Sequence, residues 1–163
     1  MKSLILLFSI LSLLYYNTHV YAESNTLKME SKSLNVELRV PSPIETEEEI
    51  RIDVRFVEKN SNKTQVHVDY IIYIEDENNN EIFRTVLTHT NEGELTLPYV
   101  FFNRGSYIVG VEIYGINFIP IEKEYVEFSI NVIPEFPLGV VGVFASIIII
   151  SIFIARKRFM YQI

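Results

Sequence analysis

Residues able to do chemistry are few and scattered in this chain. Its 163 residues include no cysteine, so thiolate nucleophiles, thiolate metal sites and disulfide frameworks are excluded. Of the three histidines, His67 and His89 lie in the middle of the chain. Imidazole nitrogens are ligands that zinc and copper share. The two rings could therefore meet across a sheet and hold copper or zinc, with Asp69 on the same strand face as His67. Lacking a thiolate, such a pair cannot form a blue-copper centre. Taken singly, His67 reads as a half-exposed strand residue and His89 as a turn residue.

Oxygen ligands are more plentiful but less ordered. The run Glu75-Asp76-Glu77-Asn78-Asn79-Asn80-Glu81 lacks the alternating Asp-x-Asp-x-Asp-Gly spacing that wraps calcium, and reads as a solvated hairpin. Glu45-Thr46-Glu47-Glu48-Glu49 reads as a charged loop. Asn62-Lys63-Thr64 is an acceptor sequon in an expected turn, which makes Asn62 a glycosylation candidate on an exported chain. No nucleophile motif, phosphate-cradling glycine loop or paired-histidine metal signature accompanies these groups. The expectation is a protein that binds rather than catalyses, with no resident cofactor.

The elements that must position these residues are strands. Between Glu23 and Ile133 apolar and polar residues alternate with period two. Leu34, Val36, Leu38 and Val40 alternate with polar residues until Pro41-Ser42-Pro43, where amide donors are missing and a ladder must stop. Six further strands are predicted around Ile50 to Phe56, Val66 to Ile74, Ile82 to Thr88, Leu95 to Phe101, Tyr107 to Ile113 and Glu124 to Val132. About seven strands without helical periodicity predict a single antiparallel two-sheet sandwich in an all-β domain. The pattern Asn103-x-Gly105-x-Tyr107-x-Val109 resembles the immunoglobulin-fold corner in which a tyrosine hydroxyl bonds back to the preceding turn. Val109 stands where such domains usually carry cysteine.

Both ends of the chain are apolar. Met1-Lys2, the run Leu4 to Leu14, and Val20-Tyr21-Ala22 have the layout of a secretory leader, so residues 1–22 are expected to be removed. Leu138 to Ala155 carries no charge and would rise about 27 Å as a helix, enough to cross a bilayer. Arg156-Lys157-Arg158 opens the basic tail 156–163, which the positive-inside rule keeps in the cytoplasm. The domain 23–133 is then extracellular, joined to the span by the spacer Pro134-Glu135-Phe136-Pro137.

Pro134-Glu135-Phe136, a hydrophobic helix and a terminal basic cluster together resemble the PEF-CTERM type of archaeal sorting signal. The resemblance implies recognition by an archaeosortase, a membrane transpeptidase, and transfer of the chain to a lipid-like surface anchor.

Formal charge is −7 over the chain, and the segment 23–133 holds 10 basic against 20 acidic residues. Such a field repels nucleic acid and attracts cations. Joined to these readings, the resemblance implies an archaeal cell-surface protein, single-pass or lipid-anchored, whose immunoglobulin-like domain is expected to serve envelope structure or contact with another surface protein. The alternatives are a solute-binding module, which requires a concave pocket with convergent polar groups, and a metal-handling module, which requires the ring nitrogens of His67 and His89 to lie within about 4 to 5 Å.

Overall fold

The computed structural model describes residues 23–134, 142 and 144–152. Ten strands occur among them: β1 (Glu23–Glu30), β2 (Leu34–Ser42), β3 (Ile44–Glu45), β4 (Glu49–Glu58), β5 (Val68–Glu75), β6 (Glu81–Arg84), β7 (Thr88–Thr90), β8 (Glu94–Val100), β9 (Gly105–Ile116) and β10 (Ile119–Ile133). They form two sheets, one in the order β1-β2-β4-β8 and the other in the order β3-β10-β9-β5-β6, with β7 also paired to β5.

The period-two pattern explains the interior. Val36 and Leu38 on β2 and Ile52, Val54 and Phe56 on β4 are buried from one sheet. Ile72 and Ile74 on β5, Val109, Val111 and Ile113 on β9 and Phe128 on β10 face them from the other. Each such side chain contributes about 1.5–3 kcal/mol on leaving water. Val109, at the position of the absent cysteine, is fully buried. The corner bond also forms: Tyr107 Oη donates to the Asn103 carbonyl at 2.7 Å. The Tyr107 ring packs on Phe101, and Phe101 packs on Tyr99.

Several boundaries differ from the sequence expectation. The strand β1 pairs with β2 along its whole length, yet its side chains are almost all exposed, so no apolar period marked it. At Ser42-Pro43, a cis peptide, the chain leaves one sheet, and Ile44 pairs in parallel with Val132 on the other. The single strand expected from Ile82 to Thr88 is two, β6 and β7. Between them Thr85 takes over the ladder, its Oγ1 accepting the Ile72 amide, while Val86 is 81% exposed.

One glycine shapes the outer face of the larger sheet. Gly110 pairs with Tyr73, whose ring lies where a Cβ on residue 110 would stand, only 2.0 Å from its Cζ. The ring is thereby buried on an outer face; Tyr73 Oη donates to Glu127 Oε1 at 2.8 Å, and the Arg84 guanidinium sits over the ring. Burial first, and then the Glu127 carboxylate, push the Tyr73 hydroxyl far above its ordinary pKa.

The residues 144–152 are helical, and among the described residues no helix is long and apolar enough to cross a membrane. The expected leader 1–22, Glu135, Phe136 and the basic Arg156, Lys157 and Arg158 lie outside the described residues, as do parts of the expected span 138–155.

Candidate metal centre

His67 and His89 meet at one end of the sandwich. Ladder pairing sets His89 on β7 opposite Asp69 on β5. His67 precedes β5 in a left-handed conformation, φ 53°, which rotates its side chain out of the strand alternation. Its carbonyl accepts the Asn117 amide at 2.8 Å and its amide donates to the Asn91 carbonyl at 3.4 Å. The expected roles are therefore exchanged: His89 is the strand residue and His67 the turned one.

The ring geometry is specific. His89 Nδ1 lies 2.7 Å from Asp69 Oδ1. A carboxylate accepting there places the neutral ring's proton on Nδ1 and leaves the lone pair on Nε2. Nε2 in turn lies 3.4 Å from His67 Nδ1 and 3.1 Å from Asn91 Oδ1. Two ring nitrogens and an amide oxygen thus share one small space, with a carboxylate behind one ring. Among the described residues no group of three or more His, Cys, Asp or Glu side chains forms a metal cluster, so Asn91 is the candidate third ligand.

Phe118 covers the pair. Its ring centroid is 4.2 Å from that of His67 and 5.3 Å from that of His89. It occupies the tip between β9 and β10, where Asn117 and Phe118 both have positive φ, 52° and 64°. Two such residues make the mirror-image two-residue turn that suits the twist of a hairpin. Left-handed geometry is unfavourable for a bulky side chain, and Phe118 remains 67% exposed at the tip. Gln65 Nε2 donates to Asn117 Oδ1 at 2.9 Å, tying the tip to the segment before His67.

None of Asn91, Phe118 and Asn117 is picked out as a site residue by the sequence. Asn-Gly is the usual mark of this turn, and Asn-Phe does not announce it. Elsewhere, Asp76 accepts from the amides of Asn78 and Asn80 and from Asn80 Nδ2, closing its own loop. The Asn80 side chain is the largest cause holding the Asp76 carboxyl below its usual value. Asn62 is exposed in the turn after β4, and its carbonyl accepts from Arg55 Nη2 at 3.0 Å.

A two-sheet β-sandwich with a histidine pair at one end is the class that fold and geometry define. No protein-family model and no curated protein matches the chain. Among solved structures it is similar to the PmoD soluble domain from Methylocystis sp. (Rockwell), with a TM-score of 0.50 and 12% identity. The match covers 65% of this chain and 96% of that domain, and at this identity the likeness is one of fold.

Proposed function

We propose that the chain is a metal-binding surface protein whose immunoglobulin-like sandwich holds copper or zinc through His67 and His89. The observation that carries this reading is the separation of 3.4 Å between His67 Nδ1 and His89 Nε2. Two nitrogens each about 2.0–2.1 Å from one ion at a near-tetrahedral angle stand about 3.3 Å apart. The spacing is therefore that of two nitrogens sharing one ion. Asp69 supplies the carboxylate that fixes tautomer and orientation of a ligating histidine. The surplus of acidic residues in 23–133 raises the local cation concentration.

The setting of the reading is the cell surface. The leader-like residues 1–22, the uncharged stretch 138–155 and the basic Arg156 to Arg158 support export with retention in a membrane or transfer to a lipid anchor by an archaeosortase. Ser146 and Ser151 bond the carbonyls of Gly142 and Ile147, four residues back, so their hydroxyls are satisfied within the helix itself.

Isothermal titration of the full chain in detergent with copper(II) and zinc(II) tests the reading. A saturable heat near one ion per chain, absent in His67→Ala and His89→Ala, is expected. Equal heats from the two variants and the parent would end it.

A further inference from the structure

Resting on that metal reading, we infer that the pair is a divalent-ion site that discriminates against copper(I). The donors are two imidazole nitrogens and the Asn91 amide oxygen. Cuprous ion is soft and favours thiolate or thioether sulfur. The chain has no cysteine, and Met29, the sole methionine among the described residues, is on β1 in the opposite sheet. Nitrogen and oxygen ligands suit copper(II) and zinc(II) instead.

Spacing points the same way. A copper(I) ion held by two imidazoles prefers a linear arrangement, with nitrogens about 4 Å apart, twice a metal–nitrogen bond. The 3.4 Å spacing instead corresponds to a bent arrangement. Opening it requires both rings to part, and each is held. His89 is tied by Asp69 and by its ladder pairing. The Asn117 amide fixes only the His67 backbone, through its carbonyl, and the His67 ring itself is held by Phe118, whose ring lies against both imidazoles. The strained tip thus acts as a clamp that keeps the nitrogens close. Phe118 is a positioning residue in this scheme, since it offers no ligand atom.

The full chain in detergent is titrated with copper(II) aerobically. It is titrated with copper(I) anaerobically against bicinchoninate, with ascorbate supplying the one electron per ion that keeps copper reduced. Copper(II) binding at least 100-fold tighter than copper(I) is expected, with paramagnetic resonance showing two nitrogen ligands on copper(II). Phe118→Ala should keep copper(II) binding and shrink the ratio at least tenfold. Copper(I) held as tightly as copper(II) would overturn the discrimination while leaving the metal reading intact. A ratio unchanged in Phe118→Ala would remove the clamp, and absence of binding by either ion or by zinc would overturn both readings.

Discussion

Asp69 and Gly115 face each other across β5 and β9, and the Asp69 carboxylate fills the space a side chain at residue 115 would need. A Cβ there would stand 2.3 Å from Asp69 Oδ2. The other carboxylate oxygen, Oδ1, is the one that meets His89. The absence of a side chain on β9 therefore orients an imidazole on β7, two strands away.

Gly115→Ala should accordingly weaken metal binding by roughly 10- to 100-fold, the usual effect of losing an outer carboxylate behind a ligating histidine. Asp69→Asn should do the same without touching β9. Copper(II) affinities of the two variants, measured beside their urea midpoints, separate ring orientation from sheet stability. Parental affinity in both would show that Asp69 does not orient the ring.

Gly110→Ala should destabilise the fold by about 1–3 kcal/mol, because the Tyr73 ring must be displaced. In a Tyr73→Ala background most of that loss should vanish, giving a coupling of about 0.5–3 kcal/mol in a double-mutant cycle. Additive urea midpoints would mean that the ring moves aside freely.

Tyr107→Phe keeps the contact with Phe101 and deletes the bond to the Asn103 carbonyl. A loss of about 1 kcal/mol is expected. Chemical denaturation reads it directly, and an unchanged midpoint would show that the corner rests on ring packing alone.

Acid should loosen the sandwich through three carboxylates. The Lys28 ammonium holds Glu37 below the ordinary value of 4.5, with Arg55 assisting. Burial pushes Glu112 and Glu124 upward, but hydrogen bonds from Arg84 and Tyr114 to the first, and from Ser33 and Ser31 to the second, leave both lowered. A carboxyl whose pKa is lower in the folded state adds stability above its unfolded value and loses it as pH falls through the folded one. The urea midpoint should therefore hold near neutrality and drop as pH passes below 4.5. In Glu112→Gln the drop should be shallower.

Mass spectrometry of protein isolated from its source cells tests the proposed sorting signal. Loss of residues beyond about Pro137 is expected where a transpeptidase acts. An intact tail through Arg158 would leave retention by the apolar stretch as the only anchor.

Interior strands were legible because burial imposes a period of two: Leu34 to Val40, Ile50 to Phe56 and Tyr107 to Ile113 all point their apolar sets inward as read. The strand β1 was not, since an edge held by backbone pairing needs no apolar face. The histidine pair was legible as two ligand types, and its proximity was not. Proximity depends on a left-handed His67, on the break that makes β7 a separate strand, and on a tip whose Asn-Phe pair hides its turn. Each is a departure from strand regularity, and period-based reading sees only regularity.

The β10 strand also fixes a direction. It runs 15 residues from the Phe118 tip to Ile133, about 45–50 Å of extended chain. The imidazoles stand at one pole of the sandwich and the outgoing carboxyl side of the chain at the other. A tether fastened past Ile133 would leave the imidazoles on the far side of the domain from its attachment, like a lamp on a mast.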